Sequence, residues 1–353
     1  MTRAHRVAGA SATFVALVVA GILLWPTSRV QSSAAGPDPT SVPTTVASAP
    51  GASASGSPTS EDSPAPEPAG TTATVVAAGD VACDTEDPFL RDGRGTAGHC
   101  AQHRTAKLVE ELNPDAVLGL GDLQNDDGTL AKFREVYDDS WGRFKDITYP
   151  AIGNHEYWSG SPDGYFDYWK QRAGARDKGW YMVRVGEWEI YALNANCAYP
   201  FFRSPSCEPG SEQWTWLRDR LRTSEATCQL AMWHEPRFSS GPHGPYGRLE
   251  PLWRLLVDAR VELVLSAHDE TYERFAPLGV GGRRDPEGVR QFVVGTGGDQ
   301  LYEFDRAQPG SQVRGEGSFG VLELTLEPDA YGWRFRGIGP ERVRDAGSAG
   351  CLA

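Results

Sequence analysis

The chain has 353 residues, of which 47 are acidic and 34 are basic, so its formal net charge is −13. This charge argues against nucleic acid, or an anionic membrane surface, as a partner held by charge alone. The length predicts about two domains, or one large α/β unit with additional segments. An anionic substrate would therefore have to be attracted by something other than side-chain charge.

An uncharged segment follows the first basic residues. Arg3 and Arg6 precede residues 7–25, a run of 19 residues without a charge. At ~1.5 Å per residue, a helix of that length just spans a bilayer. Residues 1–31 are therefore interpreted as a cleaved signal peptide or as a membrane anchor through residues 7–25, and the length of the run favours the anchor. Both interpretations place the rest of the chain outside the cytoplasm, secreted or anchored to the cell membrane.

Residues 32–72 have the composition of a disordered linker. They contain no aromatic residue and no Leu, Ile, Met, Lys or Arg, while Pro, Ser, Ala, Thr and Gly dominate. Such a segment buries too little apolar surface to offset its chain entropy. Residues 73–353 hold every tryptophan except Trp25. They can form one sizeable core, and we expect them to be a single, monomeric domain.

All six cysteines lie in residues 73–353. An even number of cysteines is typical of a protein in an oxidising compartment. A zinc site built from these cysteines is disfavoured because no C-x-x-C spacing occurs. Other connectivities are open, but proximity in sequence predicts three disulfides, Cys83–Cys100, Cys197–Cys207 and Cys228–Cys351.

Short apolar runs that end abruptly in polar residues recur along the chain. They cover residues 74–78, 116–120, 149–152, 229–233 and 261–265. Continuous apolar runs of this length are typical of strands buried on both faces. Helical patterns separate them, at residues 100–112, 212–221 and 252–259. Alternation of this kind predicts an α/β fold, with a largely parallel sheet between helices.

The polar residues that follow these strands are expected to meet at one edge of that sheet, because ligands bind beyond the carboxyl ends of parallel strands. Three later runs, residues 292–294, 321–326 and 333–338, alternate more strongly between apolar and polar residues. They predict a second, more antiparallel sheet.

The residue types at the strand ends are those of a metal site. They comprise two carboxylates, one amide and two imidazoles, namely Asp80, Asp122, Asn154, His234 and His268. Each of Asp80, Asp122 and Asn154 alone would equally suit a turn. Together they favour a metal site in which one carboxylate bridges two ions. Two ions ~3.5–4 Å apart clamp the oxygens of a phosphoryl displacement and provide a hydroxide near neutral pH. They would also supply the positive charge that the chain lacks.

These residues belong to motifs whose order along the chain resembles that of a known family. Gly-Asp occurs at residues 79–80 and 121–122, Gly-Asn-His-Glu at 153–156, a His two residues before Pro at 234–236, and His-x-x-x-Tyr-Glu-Arg at 268–274. Over about residues 74–278 the chain resembles the calcineurin-like metallophosphoesterase superfamily, and most of all its purple acid phosphatase-like branch.

The resemblance implies a four-layer αββα sandwich, in which two mixed sheets are flanked by helices. It implies that Asp122 bridges two metal ions and that Asp80 holds the first of them. Asn154, His234 and His268 would complete the second metal site. His155 would face the substrate, as a phosphate binder or as a general acid to the leaving oxygen.

Two positions depart from that branch. Asn125 stands where the branch has tyrosine, and Glu270 stands where it has a second histidine. The first metal site then has Asp80, Asp122, Asn125 and Glu270 as candidate ligands. An all-oxygen site suits a hard divalent ion such as Mg²⁺, Mn²⁺ or Ca²⁺ better than Fe³⁺ or Zn²⁺. We therefore expect two divalent ions, Mn, Mg, Fe or Zn, with a hard ion at the first site.

These residues predict an extracytoplasmic metal-dependent phosphatase or phosphodiesterase, which hydrolyses a phosphate ester through a metal-bound hydroxide at a dinuclear site. Asn125 and Glu270 keep a second hypothesis open, a degenerate family member that acts as a metal-stabilised binding module. Glu235 is expected to be an exposed acid. The aromatic stretch at residues 157–168 is expected to pack beneath a loop and not to form a stacking platform.

Overall fold

The computed structural model describes residues 71–91, 95–339 and 343–352. The expected signal peptide or anchor at residues 1–31, and all but the last two residues of the expected linker, lie outside these ranges. Within them, no helix is both long enough and apolar enough to cross a membrane.

Thirteen strands are present in the part of the chain that the structure describes. They are β1 Ala73–Ala78, β2 Ala116–Leu120, β3 Thr148–Ala151, β4 Tyr181–Val185, β5 Trp188–Ala192, β6 Gln229–Met232, β7 Leu263–Ser266, β8 Tyr272–Leu278, β9 Val289–Val294, β10 Ser311–Gly315, β11 Phe319–Leu326, β12 Ala330–Ile338 and β13 Ala346–Gly350.

The α-helices lie between these strands. They are α1 Gln102–Leu112, α2 Leu130–Lys132, α3 Asp163–Trp169, α4 Glu212–Thr223 and α5 Glu250–Asp258. Helix α2 continues into a π-helical turn, and short 3₁₀ segments occur elsewhere, the longest of those described at Trp141–Ile147. Ser211 begins α4, where its hydroxyl accepts a hydrogen bond from the backbone N–H of Trp214. Pro251 stands in the first turn of α5, where it removes no helical hydrogen bond.

The strands form two mixed sheets. The first sheet has the order β13-β12-β11-β1-β2-β3, and the second has the order β10-β8-β9-β7-β6-β5-β4. Strands β1, β2 and β3 are parallel neighbours, and β11 joins β1 in the antiparallel sense. Strands β5, β6, β7 and β9 are parallel, while β4 on one side, and β8 and β10 on the other, are added in the antiparallel sense. The expected pair of mixed sheets with helices is therefore confirmed.

The alternation of side chains along β6 and β7 shows how the layers pack. Leu230 and Leu265 belong to the core that also contains Val75 and Leu118 of the first sheet. Ala231 and Val264 face the opposite way, into a second core with residues of α4 and α5. Successive residues of a strand point to opposite faces, so both faces of the second sheet are covered. Because both faces of these strands are buried, their sequences are continuous apolar runs.

The division of strands between the sheets differs from the sequence prediction. The predicted parallel sheet is split, since β1, β2 and β3 lie in one sheet and β6 and β7 in the other. The predicted antiparallel sheet does not form either, because β11 and β12 extend the first sheet and β9 pairs in parallel with β7. A buried apolar run suits a central position in either sheet, so periodicity alone does not assign its neighbours.

The three predicted disulfides are confirmed: Cys83–Cys100, Cys197–Cys207 and Cys228–Cys351. The first joins the loop after β1 to the start of α1. The second closes the loop between β5 and α4. The third joins the start of β6 to the residue after β13, across 123 positions of sequence.

Candidate metal centre

A cavity of about 300 Å³ opens where the carboxyl ends of the two sheets meet. Its lining includes Asp80, Asp122, Asn154, His155, His268 and Glu270. These residues follow strands of both sheets, so the expected single edge is replaced by a cleft between two sheets. The structure thus brings most of the residues predicted as ligands to one place.

Backbone conformation marks three of these residues. Asp80, Asp122 and His268 have φ angles of 53°, 47° and 67°. Residues other than glycine seldom adopt this left-handed region, and they do so most often at functional sites. Gly153 is needed beside them, because a Cβ at that position would lie 2.1 Å from Oδ1 of Asp122. The sharp turns after the strands therefore aim these side chains into the cleft.

Asp122, His234 and His268 form a compact group, in which one ligand atom from each lies within 4.8 Å of the others. Nε2 of His234 is 2.9 Å from Oδ2 of Asp122. Nδ1 of His268 is 3.2 Å from Nε2 of His234. All three side chains are buried. This spacing is suited to three ligands that share one metal ion.

Hydrogen bonds select which nitrogen of each imidazole faces the cleft. Nδ1 of His234 lies 2.8 Å from the carbonyl oxygen of Leu120. Because a carbonyl only accepts, this nitrogen carries a proton, and Nε2 is the nitrogen that faces Asp122 and could bind a cation after losing any proton of its own. Nε2 of His268 lies 2.7 Å from the hydroxyl of Tyr246 and 3.1 Å from that of Tyr199. Nδ1 of His268 is therefore free to bind a cation.

The charges in this group depend on its burial. Burial would raise the pKa of Asp122, but His234 and His155 outweigh it and hold that pKa well below its usual range. Burial would also lower the pKa of His234, and Asp122 outweighs it and raises the pKa. Burial and the charge of His234 lower the pKa of His268 to about 3. Asp122 is thus ionised and His268 is neutral, as metal ligands must be.

Asn154 supplies a further test of whether a cation fits. Its Oδ1 is buried and has no hydrogen-bond partner among the described residues. A buried amide oxygen without a partner is costly unless something else satisfies it. Two imidazole nitrogens, a carboxylate and this oxygen are a donor set that Zn²⁺, Mn²⁺ or Fe²⁺ accepts. The residues present therefore fit a divalent ion.

A second group of carboxylates, which includes Asp80 and Glu270, lines the same cavity as Asp122. Oδ2 of Asp80 accepts the backbone N–H of His268 at 2.8 Å, and its Oδ1 is 4.0 Å from Nε2 of His234. Burial and the charge of Asp122 raise the pKa of Asp80 to about 7, against the effect of His234. Burial, Asp299 and Asp80 raise the pKa of Glu270 well above its usual range. A cation between these acids would offset their repulsion.

Two of the predicted first-site ligands, Glu270 and Asn125, have surroundings that differ from those of the compact group. Both oxygens of Glu270 face Gln300, at 3.1 Å from its backbone N and 3.3 Å from its Nε2. Asn125 is buried in the loop after β2, and its Nδ2 has no hydrogen-bond partner within the described ranges. Glu270 is not part of the compact group of Asp122, His234 and His268.

His155 stands at the mouth of the group. Its backbone N–H donates to Oδ1 of Asp122 at 2.8 Å, and its Nδ1 lies 2.6 Å from the carbonyl oxygen of Asp126. Its Nε2 is 3.8 Å from Oδ2 of Asp122. Burial would lower the pKa of His155, but Asp122 outweighs it and raises the pKa above its usual range. A protonated imidazole can bind phosphate or donate a proton.

Two glutamates were not given a role from the sequence. Glu156 accepts backbone N–H groups of Asp122, Leu123 and Gly153 at 3.1, 2.9 and 2.7 Å, which joins the turns after β2 and β3. Glu235 was predicted to be exposed, and this is wrong, because it is fully buried after β6. Burial raises the pKa of Glu235 to about 7. Both of its carboxylate oxygens are without a hydrogen-bond partner among the described residues.

Other neighbours of the site carried no sequence signal. Tyr199 and Tyr246 come from separate loops and hold His268 through their hydroxyls. Asp299 lies after β9, and its backbone N–H donates to the carbonyl oxygen of Asp80 at 3.0 Å. Burial raises the pKa of Asp299 well above its usual range, although His155 opposes the shift. A histidine or aspartate inside a recognisable motif is predictable, whereas a tyrosine in an irregular loop is not.

Two mixed sheets between helices, with carboxylates and imidazoles gathered at the strand ends, define an α/β fold that carries a candidate metal centre. The family model of the calcineurin-like phosphoesterases matches residues 73–272, and the chain belongs to this family.

Among known proteins, the chain is similar in sequence to purple acid phosphatases. The chain is 25% identical over 252 residues to Probable purple acid phosphatase 20 of Arabidopsis thaliana, covering 63% of this chain and 55% of that protein. It is 33% identical over 130 residues to Purple acid phosphatase 21 of the same plant, covering 34% and 29%. The chain therefore spans about half the length, or less, of these relatives.

Solved structures share the fold. The purple acid phosphatase PPD1 of yellow lupin, Lupinus luteus, superposes with a TM-score of 0.61 at 20% identity, over 80% of this chain and 54% of that chain. GAP50, the anchor in the inner membrane complex of Plasmodium, superposes with a TM-score of 0.57 at 14% identity, over 80% and 90%.

Proposed function

We propose that this chain is an extracytoplasmic, metal-dependent phosphoesterase that hydrolyses phosphate monoesters or diesters. The observation that carries the proposal is the convergence of Asp122, His234 and His268, with distances of 2.9 and 3.2 Å between their ligand atoms. Family membership supports the same class of reaction. The three disulfides are typical of an oxidising compartment, and anchoring through residues 7–25 belongs to the same proposal.

The residues divide into two ligand sets that share Asp122. Asn154, His234 and His268 would hold one divalent ion with it. Asp80, Asn125 and Glu270 would hold a second ion with it. Two such ions, when bound, polarise a phosphate ester and make water a stronger nucleophile near neutral pH.

His155 has the chemistry of a general acid in this scheme. Hydrolysis adds the oxygen of water to phosphorus and breaks the ester P–O bond, and the leaving oxygen takes up a proton. The contact with Asp126 makes Nδ1 the protonated donor to a carbonyl, so Nε2 is the nitrogen that faces the cleft. The raised pKa of His155 favours a proton on Nε2 in the free protein.

A metal-stabilised binding module is the second candidate function. The observation that favours it is the position of Glu270, which lies outside the compact group around Asp122 and whose two oxygens accept hydrogen bonds from Gln300. If the first ion does not bind, the chain would keep one structural ion and lose turnover.

The experiment that separates these functions measures hydrolysis of 4-nitrophenyl phosphate and of bis(4-nitrophenyl) phosphate. We expect a chelator to abolish turnover of at least one ester, and Mn²⁺, Mg²⁺, Zn²⁺ or Ca²⁺ to restore it. The variant His234→Gln should not be restored, whereas the control His103→Gln should behave as wild type, since His103 lies on α1 near Asp139. Metal binding without turnover would favour the binding module, and turnover that survives in His234→Gln would contradict the proposed site.

A further inference from the structure

Three aromatic side chains cluster at the edge of the cavity, and we call them the aromatic rim: Trp158 and Phe202, which line the cavity, and Phe201, which packs against both. Trp158 follows the turn that carries His155, and the other two lie in the loop closed by Cys197–Cys207. The ring centroid of Trp158 is 6.2 Å from that of Phe201 and 5.6 Å from that of Phe202. Residues from two separate loops therefore meet at one edge of the cleft.

The exposure of the rim is unusual for this chain. The side chains of Trp158 and Phe201 are 56% and 63% exposed. Among the described residues, Phe89 is the other large exposed apolar side chain, at 40%. The aromatic stretch at residues 157–168 was predicted to be packing, and its other aromatic residues are indeed buried. Trp158 is the exception, and it is the one that lines the cavity.

The rim is held in place from behind. The ring of Phe202 stacks on that of Tyr157 at 5.4 Å and meets the edge of Tyr199 at 5.3 Å. Tyr199 in turn contacts His268 of the candidate metal centre. A rigid aromatic surface loses little conformational entropy when a ligand packs on it.

The position of the rim indicates which part of a substrate would contact it. The ring of Trp158 is 6.3 Å from that of His155. A phosphate beside His155 would therefore place the leaving group against Trp158. The cavity is near the lower end of the volumes that small-molecule sites have, about 300–1,000 Å³, which suits one phosphate and a compact ring system.

The charged side chains that line the cavity restrict the class of leaving group that it would accept. The residues that line the cavity include the carboxyl groups of Asp80, Asp122 and Glu270, and no Lys or Arg is among them. A leaving group with a further phosphate or carboxylate would find no Lys or Arg in this lining, and it would compete with the ester phosphate for the imidazoles of His155 and His243. An uncharged aromatic ring would find the rim.

We propose that the aromatic rim binds the leaving group of the substrate and makes the site selective for phosphate esters of uncharged aromatic alcohols. This inference rests on the proposed phosphoesterase function and deepens it by naming the substrate class. Stacking on an exposed aromatic side chain is worth about 5- to 10-fold in binding.

The test compares kcat/KM for 1-naphthyl phosphate with kcat/KM for glycerol 2-phosphate, in the presence of saturating divalent ions. Trp158→Ala and Phe201→Ala should each lower the ratio of the two values about 5- to 10-fold. Trp158→Phe keeps a ring and should lower the ratio by less than about threefold. Phe89→Ala is the matched control, because Phe89 stacks on His99 outside the cavity lining and should leave the ratio unchanged.

A binding measurement gives a second result that does not depend on turnover. By calorimetry, Trp158→Ala should weaken phenylphosphonate about 5- to 10-fold relative to methylphosphonate. Equal losses for both substrates, or no change in either ratio, would overturn the inference. Wild-type protein that hydrolyses neither ester would contradict the proposed function instead, and the calorimetric comparison would still decide the role of the rim.

Discussion

His155 is oriented by its neighbours before any substrate arrives. Its backbone N–H and its Nδ1 are both engaged, by Oδ1 of Asp122 and by the carbonyl oxygen of Asp126. One nitrogen, Nε2, is left to face the cleft. A side chain held in this way can transfer a proton without first losing rotational freedom.

The variant His155→Ala should therefore lower turnover of an aryl phosphate by roughly 10²–10⁴. Its metal content should stay nearly unchanged, because His155 belongs to neither proposed ligand set. Steady-state kinetics and elemental analysis of the same preparation measure both effects, with His103→Ala as the control. Loss of metal equal to the loss of turnover would contradict the role of His155.

Glu270 is the residue on which the first ion depends. It is buried with Asp80 and Asp299, and the raised pKa of each of the three acids shows how unfavourable their negative charges are without a cation. Glu270→Ala should weaken one of two ions and spare the other. Glu111→Ala, an exposed acid on α1, is the matched control. Isothermal titration with Mn²⁺ distinguishes these results, and wild-type binding of both ions by Glu270→Ala would show that Glu270 is no ligand.

A double variant would restore the two metal ligands that are usual in the purple acid phosphatase-like branch. Asn125→Tyr combined with Glu270→His supplies a phenolate and an imidazole, which favour iron or zinc over hard ions. The wild-type protein has no phenolate at residue 125, so it should be colourless, and its visible spectrum tests this directly.

At the scale of elements, Lys132 joins the loops that carry the carboxylate ligands. Its Nζ contacts Oδ2 of Asp84, after β1, and lies 2.8 Å from Oδ2 of Asp127, after β2. Asp84 also accepts the backbone N–H of Asp126 at 3.0 Å. Burial would raise the pKa of both acids, but the hydrogen bonds from Lys132 outweigh it and lower each pKa.

Carboxylates with a lowered folded pKa stabilise the fold above their unfolded pKa, and this stabilisation is lost as pH falls through the folded pKa. Lys132→Met should therefore lower the free energy of unfolding by about 1 kcal/mol at pH 7. The difference from wild type should fade as pH falls below 3.8, the ordinary pKa of an aspartate.

Urea unfolding at pH 7 and at acid pH measures this dependence. Lys107→Met is the control, because Lys107 makes only an exposed pair with Glu111 at 3.9 Å. An equal loss at both pH values would show that Lys132 contributes packing and not charge.

At the scale of the whole molecule, one covalent link joins the end of the chain to its middle. Cys228–Cys351 fastens the segment after β13, at the edge of the first sheet, to β6 in the centre of the second sheet. A link across so long a loop restricts the unfolded chain more than the folded one.

The double variant Cys228→Ala with Cys351→Ala should lower the free energy of unfolding by about 2–4 kcal/mol. Turnover per folded molecule should be unchanged, since the disulfide lies away from the cleft. Urea unfolding and kinetics in the same buffer check both statements. Unchanged stability would mean that strand pairing alone holds the C-terminal segment.

The sequence could predict the strands that precede the candidate ligands, because each is a buried apolar run followed by a polar turn. It could not predict that β3 and β6 belong to different sheets, since burial on both faces looks the same in either sheet. The burial of Glu235 could not be predicted from the sequence either. An acid is expected to be solvated, and no local pattern of the sequence shows that Glu235 is removed from water in the fold.

The remaining features of the site depend on contacts between residues that are far apart in the sequence. Tyr199 and Tyr246 reach His268 because a disulfide-closed loop and the loop before α5 fold over the cleft. Trp158 is exposed while its neighbour Tyr157 is buried, and both are aromatic residues of one turn. No local pattern distinguishes them.

Whether Asp122 is shared by two metal ions can be measured directly, as the number of metal ions bound per folded chain in wild type and in Asp122→Ala. Asp122 contacts His234 and His155 and is the one carboxylate shared by both proposed ligand sets. Elemental analysis after gel filtration should find two ions in wild type and none in Asp122→Ala, with the control Asp115→Ala unchanged. Wild-type protein without stoichiometric metal, or an Asp122→Ala variant that keeps both ions, would contradict the account.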